Sequence, residues 1–318
     1  MTRNEKKKML TELFQQKWWL GEFRDHFTED LTYEAPMAPP GMLQSLNEGM
    51  TAIHMMWLSA TVKTWEAEIL KSYGPKEENG DTFFIIYNVK ADVKWGGTEN
   101  TYSNKRGVLR IRMNGDKICS IKEWFNPLNW IKAAGRDVPV FGMSIPMCNE
   151  LSRAIHKEKP ARPEYDMSPE ACENRRKSNI ECFGSLEKGY ACSPIPVEKG
   201  FDRLVLNVPA NMKEDVTPEE REYFDLWLAV GETKPWTWMP GAVVYETDDP
   251  YASFSEPCGY GGYNWPGNEE FGMFYANKYI CYIELDDKGF CKRYWEFLNP
   301  IAKMNSVNKS LPSFPWLF

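Results

Sequence analysis

The sequence has few of the residues and motifs on which metal, nucleotide or hydrolase chemistry depends. It holds three histidines in 318 residues, and its eight cysteines form no C-x-x-C pair and no histidine-containing set at metal-ligand spacing. Walker, dinucleotide-binding and G-x-S-x-G motifs are missing. We therefore expect neither a metal nor a cofactor, and we interpret the cysteines as reduced thiols, mostly in the core.

The charge and the hydrophobic runs exclude further classes of partner. A formal net charge of −7 argues against nucleic acid as the main partner. No run of 18 apolar residues exists that could span a membrane. The charged start M-T-R-N-E-K-K-K has no apolar core of the kind found in secretory signals, so we expect a cytoplasmic protein.

One stretch of the sequence occurs twice. Residues 102–127 and 275–300 align without a gap and are identical at six positions, which are Tyr102/Tyr275, Asn104/Asn277, Lys105/Lys278, Glu123/Glu296, Asn126/Asn299 and Pro127/Pro300. A repeat this long indicates a duplicated domain rather than a solenoid. We predict a first domain over 1–150, a linker over 151–168 and a second domain over 169–318.

Each copy has the pattern of a β-hairpin whose return strand carries a glutamate among apolar residues. Alternation puts Cys119, Ile121, Glu123 and Phe125 on one side of the first return strand. In the second copy, Glu296 shares its side with Tyr294, Leu298 and Lys292. A carboxyl on the concave face of a sheet loses hydration, so its pKa should rise and it can donate or shuttle a proton. The alternative is a structural glutamate at a strand end, paired with a lysine or an arginine.

The remaining periodicity predicts an α+β fold. Helices at about 5–20 and 48–62 precede strands at about 65–72, 82–95 and 102–113, a pattern typical of helices laid on one face of a curved antiparallel sheet. On the second helix, Ile53, Met56, Trp57 and Ala60 form the expected apolar stripe, and His54 lies beside it. A plain core histidine is the alternative interpretation of His54. The second copy predicts helices at about 169–183 and 218–230, then strands from 236 to 298.

These residues resemble the phenazine-biosynthesis A/B family, within the superfamily of cone-shaped α+β folds that includes nuclear transport factor 2, ketosteroid isomerase and SnoaL-like polyketide cyclases. The resemblance lies in a Tyr-x-Asn strand start, a repeated Glu-x-x-Asn-Pro and the segment A-I-H-M-M-W at 52–57. It covers about 47–146 and 228–318. Because members of the family are homodimers, it implies two tandem cone-shaped domains that form a pseudo-dimer within one chain.

The resemblance also implies roles for particular residues. Its catalytic residues correspond to Glu123, His54, Glu296, Tyr102 and Tyr275. In the second copy Phe224 stands where the histidine should be, so we expect the first site to carry more of the proton chemistry. The residues expected around the substrate are Trp57, Phe224, Trp227, Cys119, Ile121 and Tyr294.

Residues and resemblance together predict an acid–base enzyme of natural-product metabolism. The predicted reaction is condensation or cyclisation of a small amino-ketone, another carbonyl compound or a polycyclic substrate, with the reacting groups held in a water-poor cone. Two alternatives stay open. One is an isomerase, dehydratase or pericyclic cyclase acting on a polyketide-like substrate, and the other is a non-catalytic binding or dimerisation module, because a fold alone does not fix a function.

Overall fold

The computed structural model describes residues 1–95, 97–139, 164–184, 197–206, 237–239, 241–263, 273–306 and 311–314. The chain forms two compact units, the first being Met1–Val138 with Leu311–Phe318 and the second Pro139–Ser310. This division differs from the one predicted at the C-terminus, because the side chain of Phe314 is buried in the core of the first unit. The predicted helix at 218–230 and most of the predicted linker lie outside the described residues.

Three α-helices and a short 3-10 turn (Gly21–His26) accompany the sheet of the first unit. The helices are α1 (Arg3–Phe14), α2 (Glu48–Thr61) and α3 (Pro127–Ala133). Helix α1 begins with a capping box, in which the Thr2 hydroxyl accepts from the Glu5 N–H and the Glu5 side chain accepts from the Thr2 N–H. Its residues Leu10, Leu13 and Phe14 are buried.

The sheet of the first unit has six strands in the order β2-β1-β6-β5-β4-β3. They are β1 (Phe27–Glu34), β2 (Ser45–Leu46), β3 (Glu66–Tyr73), β4 (Thr82–Trp95), β5 (Thr98–Asn114) and β6 (Lys117–Trp124). All neighbours are antiparallel except β1 and β6, which run parallel. Helices and sheet share one hydrophobic core. The predicted α+β class is confirmed.

The second unit repeats this strand order. Its five-stranded sheet has the order β7-β14-β13-β10-β9, in which β7 and β14 are parallel. This order corresponds to β1-β6-β5-β4-β3 of the first unit. A separate three-stranded sheet has the order β12-β11-β8. The elements are α4 (Pro169–Gly184), β7 (Val197–Leu206), β8 (Thr237–Trp238), β9 (Val243–Glu246), β10 (Ala252–Glu256), β11 (Cys258–Tyr263), β12 (Met273–Lys278), β13 (Ile280–Leu285), β14 (Cys291–Phe297) and α5 (Pro300–Ser306). The duplicated domain that the sequence predicts would have this shared order. The intrachain pseudo-dimer stays a prediction.

The two copies align in sequence without a gap, but their strand pairing differs. Each copy has one residue that the other lacks, at a different place, so the two copies keep the same length. In the first unit Leu109 pairs with Glu123, whereas in the second Cys281 pairs with Glu296. Strand β5 holds an extra residue at a β-bulge, since Tyr87 pairs with Gly107 and the next pair is Val89 with Asn104. The second unit instead has one residue more between its last equivalent pair, since five residues separate Leu285 from Cys291 and four separate Met113 from Ile118. Cys281 is therefore the structural counterpart of Leu109.

The repeated asparagines and prolines serve the fold. The Asn126 N–H donates to Asn104 Oδ1 at 2.9 Å, and Asn126 Oδ1 accepts from the Leu128 N–H at 3.1 Å, so Asn126 caps α3 with Pro127 at its first turn. The second unit repeats both hydrogen bonds, at 3.2 and 3.0 Å, with Asn277, Asn299 and Ile301. These identities of the repeat carry structure, which leaves the glutamates, the tyrosines and the lysines as candidates for function.

Helix α2 buries a different face from the one predicted. Thr51, His54 and Leu58 are buried, whereas Ile53 is 46% and Met56 72% exposed. Two helical stripes one residue apart were available in this apolar segment, and its periodicity alone did not separate them. None of the helices in the described part of the chain is long and apolar enough to cross a membrane.

Candidate functional site

The site of the first unit centres on the buried carboxyl of Glu123. Strand β6 lies between β1 and β5, and it presents Glu123 to the same core as Tyr33 of β1 and Tyr87 of β4. The Tyr33 hydroxyl donates to Glu123 Oε2 at 2.5 Å, and the Tyr87 hydroxyl donates to Oε1. Both carboxyl oxygens therefore have a hydroxyl partner supplied by a different strand.

Burial and hydrogen bonding act on Glu123 in opposite directions. Burial raises the pKa of its carboxyl, while the hydrogen bonds from Tyr33 and Tyr87 oppose that rise. Burial and the Glu123 charge raise the pKa values of both tyrosines well above the usual range, so the tyrosines stay protonated. A carboxyl of raised pKa beside two neutral hydroxyls can release a proton and take it back within a dry site.

The bulge in β5 places Tyr87. Asn88 Oδ1 accepts from the Arg106 N–H at 2.9 Å and thereby supports the positive φ of 56° at Arg106. The next residue, Gly107, lies directly under the Tyr87 ring, and a Cβ there would stand 2.6 Å from two ring carbons. Only glycine lets the ring pack against the neighbouring strand with its hydroxyl on Glu123. Gly107 is a positioning residue for the site.

A series of aromatic rings leads away from Tyr33. The His54 ring lies 5.1 Å from that of Tyr33 and stacks on Trp57 at 5.6 Å, and Trp57 stacks on Trp95 at 5.6 Å. Trp130 follows, 5.1 Å from Trp95. The predicted residues His54 and Trp57 are therefore brought to the core that contains Glu123.

Phe314, near the C-terminus, completes this aromatic core. Its ring centroid lies 5.8 Å from Trp57, 5.1 Å from Trp95 and 5.3 Å from Trp130. Its N–H donates to the Pro40 carbonyl at 2.6 Å. Gly41 has a φ of 94°, and a Cβ there would come within 2.7 Å of the Phe314 carbonyl oxygen. The loop at 40–41 is therefore fitted closely to the C-terminal segment.

Burial argues against the role of near-neutral base that the sequence predicts for His54. Burial lowers the pKa of its imidazole to about 3, because charging the ring within the core would cost its hydration. The ring is neutral throughout the physiological range and stacks between Tyr33 and Trp57. What His54 can contribute is a neutral polar ring beside Tyr33.

The sequence also predicts three further site residues in the first unit, which are Tyr102, Ile121 and Cys119. Tyr102 is buried against Trp95 and Trp130 with centroid distances of 5.9 and 5.7 Å, and burial and the Glu123 charge raise its pKa well above the usual range. Ile121 lies in the core. Cys119 lies at a register shift in β6 that puts Ile118 into the core. Cys119 itself is half-exposed, with its thiol on the Arg112 carbonyl at 3.5 Å, and not in the core beside Ile121.

The second unit surrounds Glu296 differently. The Tyr294 hydroxyl donates to Glu296 Oε2 at 3.3 Å. Lys292, predicted beside Glu296, lies at a register shift in β14 and forms an ion pair with Glu284 at 3.3 Å. Tyr275 lies on β12, opposite Gly261, in the three-stranded sheet. Phe224 and Trp227 lie outside the described residues.

At the described positions of the second unit that correspond to Tyr33 and Tyr87, the residues are not tyrosines. Tyr33 pairs with Ile121, and the corresponding pair is Arg203 with Tyr294. At the position of Tyr87 the second unit has Pro257, whose carbonyl accepts from the Tyr279 N–H at 2.9 Å. The two glutamates therefore occupy equivalent strand positions with different neighbours.

Sequence reasoning missed Tyr33 and Tyr87 as partners of Glu123. Both lie at strand positions whose neighbours two residues away are apolar, such as Leu31 and Ile85, so alternation would have placed them on a buried face. A buried tyrosine needs a hydrogen-bond partner, and this was the usable signal. Among the described residues, no group of three or more histidine, cysteine, aspartate or glutamate side chains could hold a metal ion.

The first unit is an α+β unit whose core contains a carboxyl that accepts hydrogen bonds from two tyrosines. The comparisons add a family for the C-terminal part of the chain, since residues 222–315 match the family model described as phenazine biosynthesis protein A/B. This match confirms the resemblance predicted from the sequence for that part. No curated protein matches the chain.

Several solved structures resemble parts of the chain at low identity. A phenazine biosynthesis-related protein from Pseudomonas aeruginosa is 19% identical, covers 48% of this chain and 93% of its own, and has a TM-score of 0.35. An NTF2-like protein from Burkholderia xenovorans is 17% identical, with 42% and 98% covered and a TM-score of 0.32. A protein with a ketosteroid isomerase-like fold from Catenulispora acidiphila is 13% identical, with 42% and 94% covered and a TM-score of 0.31.

Proposed function

We propose that the protein is a cofactor-independent biosynthetic enzyme of natural-product metabolism, in which Glu123 is the acid–base catalyst. The observation that carries the proposal is the buried Glu123 carboxyl with Tyr33 and Tyr87 hydroxyls on its two oxygens. The reaction we propose is condensation or cyclisation of a small cyclic amino-ketone or related carbonyl compound. Such reactions need a proton moved off a carbon beside the carbonyl and returned elsewhere.

Each part of the site has a task in this proposal. Glu123 takes and returns the substrate proton, while Tyr33 and Tyr87 hold the carboxyl in place and stabilise its charged form when it arises. The half-buried ring of Trp57, which stacks on Trp95, would supply a flat apolar surface for a cyclic substrate. The match of residues 222–315 to a family described as phenazine biosynthesis protein A/B supports a substrate of this class.

Proton exchange tests the proposal without knowledge of the natural substrate. The purified protein is incubated in D₂O with a series of small cyclic ketones and amino-ketones, and loss of the α-hydrogen signals is followed by ¹H NMR. We expect catalysed exchange for at least one compound, reduced about 10²- to 10⁴-fold by Glu123→Gln. Glu296→Gln is the matched control in the second unit and should retain the exchange. Equal loss from both variants would contradict the assignment of the first unit as the main site.

A non-catalytic binding module is the second candidate, favoured by one observation. Both Glu123 oxygens are already engaged by tyrosines and the surrounding aromatic rings are buried, an arrangement that also suits a structural carboxyl. This candidate predicts no exchange above the buffer rate for any ketone. It also predicts that Glu123→Gln changes stability alone.

A further inference from the structure

The C-terminal segment, residues 311–314, is held in the first unit mainly by a single ring. Of its four residues only Phe314 is buried, and none lies in a helix or a strand. Pro312 has no N–H, and the one hydrogen bond of the segment within the described residues runs from the Phe314 N–H to the Pro40 carbonyl at 2.6 Å. Few hydrogen bonds and no regular structure are typical of segments that open locally at low cost.

The Phe314 ring contacts three tryptophans that stand on helices or strands. Its centroid lies between 5.1 and 5.8 Å from the rings of Trp57 on α2, Trp95 at the end of β4 and Trp130 on α3. Trp57 and Trp95 are nearly parallel, with 10° between their planes, and Phe314 stands at 82° and 83° to them. Since none of the tryptophans belongs to the C-terminal segment, its withdrawal would expose their apolar surface and leave their elements in place.

The observed arrangement leaves no room for a second ring beside Phe314. Centroid separations of about 4.5–7 Å are those of aromatic rings in direct contact, and Phe314 is 2% exposed. Trp95 and Trp130 are 2% and 5% exposed. A cyclic substrate can therefore reach them only after one ring of the cluster has moved. Phe314 is the ring whose backbone lies outside the described helices and strands, so its movement costs least.

We propose that the C-terminal segment is an autoinhibitory strap that competes with the substrate for the aromatic core of the first unit. In the closed state Phe314 occupies the place of a substrate ring against Trp57, Trp95 and Trp130. When the segment withdraws, a planar ring compound takes that place, so the compound is bound in proportion to its preference for the withdrawn state. The proposal rests on the proposed function in taking this cluster as the place of the substrate ring, and it adds control of access.

Gly41 offers a way to displace the strap without shortening any side chain. Its φ is 94°, and a Cβ there would stand 2.7 Å from the Phe314 carbonyl oxygen. Gly97 is the matched control, because its φ is 83° and nothing lies within 4 Å of an added Cβ. Alanine strains the backbone at both positions, but it pushes against the strap only at Gly41. Tighter binding by Gly41→Ala could not come from an engineered cavity, since Phe314 is still present.

The first measurement is binding of 4-fluoroacetophenone, a small aromatic ketone, to the full chain by ¹⁹F NMR titration. We expect Phe314→Ala to bind it about 10²-fold more tightly than the unmodified protein, and Gly41→Ala about 10-fold more tightly. Gly97→Ala should bind as the unmodified protein does. Circular dichroism shows whether each variant is folded, and Gly41→Ala supplies the test if Phe314→Ala does not fold.

The second measurement follows the strap itself in the unmodified protein. Hydrogen exchange of the Phe314 N–H requires loss of its hydrogen bond to Pro40 and therefore reports withdrawal. Because the probe binds the withdrawn state, this exchange should become faster as the probe concentration rises, by about tenfold at ten times the dissociation constant of that state. The control is the Val62 N–H, which donates to the Leu58 carbonyl at 2.8 Å and should exchange at an unchanged rate.

Two results would overturn the proposal. One is exchange at Phe314 that the probe slows or leaves unchanged, since the strap would then stay closed over the core. The other is equal affinity of the probe for the unmodified protein, Gly41→Ala and Phe314→Ala. Neither assay involves proton transfer. Absence of catalysed exchange of ketone protons would therefore contradict the proposed function alone, and a probe that never moves the strap would contradict this proposal alone.

Discussion

Replacing Tyr87 by phenylalanine removes one of the two hydrogen bonds to Glu123 and leaves the ring in place over Gly107. Burial, which raises the pKa of Glu123, is unchanged, while one of the two opposing contributions is lost. A hydrogen bond to a charged group contributes about 1.5–3 kcal/mol, and one pKa unit corresponds to about 1.4 kcal/mol. We therefore expect the pKa of Glu123 to rise further in Tyr87→Phe, because the ionised carboxyl loses about 1.5–3 kcal/mol of stabilisation.

The measurement is the side-chain carboxyl ¹³C shift of Glu123 as a function of pH, in protein labelled at glutamate. Glu123→Gln identifies the signal by its disappearance. The matched control is Tyr282→Phe, which removes a buried tyrosine hydroxyl that donates to Glu284 at 2.7 Å in the second unit. That control should leave the Glu123 titration where it was. An unchanged or lowered pKa in Tyr87→Phe would refute the view that Tyr87 stabilises the ionised carboxyl.

Three further predictions follow from the same geometry. Gly107→Ala should displace the Tyr87 ring, because the new Cβ would stand 2.6 Å from it, and should raise the pKa of Glu123 as Tyr87→Phe does, measured by the same titration. Glu123→Gln should flatten the pH dependence of the free energy of unfolding. A carboxyl whose folded pKa is raised stabilises the fold fully below about pH 4, and this stability is lost as the pH rises through the folded pKa. Urea titrations from about pH 4 upward detect the difference between the variant and the unmodified protein. Phe314→Ala should cost about 3–5 kcal/mol in urea unfolding, whereas a cost below about 1 kcal/mol would show that the C-terminal ring is not part of the first core.

The features that depend on neighbouring residues were predictable from the sequence. Alternation in β6 placed Glu123 on an apolar face, and the alternating strands after two helices predicted the α+β class. Local periodicity is sufficient for such features, because each strand presents every second residue to the core. The Glu-x-x-Asn-Pro repeat was also visible, although the roles of its asparagines as caps emerged only from the hydrogen bonds.

Features that depend on contacts between residues far apart in the sequence, or on one extra residue in a strand, were not predictable. The hydrogen bond between Tyr33 and Glu123 joins residues 90 positions apart, and no local pattern links them. The neutral state of His54 follows from burial that its helix alone does not determine. Phe314 lies in the core of the first unit although it follows the whole of the second. A bulge changes which side chains of a strand face the core, as at Cys119, and the alternation of apolar residues does not reveal it.

A single residue in β5 accounts for much of the difference between the two glutamates. In the first copy the bulge at Lys105 and Arg106 brings Gly107 opposite Tyr87, and the ring can then reach the carboxyl. The second copy has no bulge at this point. Tyr279 there donates its N–H to Pro257, which has no hydroxyl to offer Glu296. Since the chemistry of a carboxyl depends on its hydrogen-bond donors, the two copies give the same side chain different surroundings. The shared glutamate therefore has two tyrosine donors in the first unit and one, Tyr294, among the described residues of the second, and the proposal for Glu123 rests on this difference.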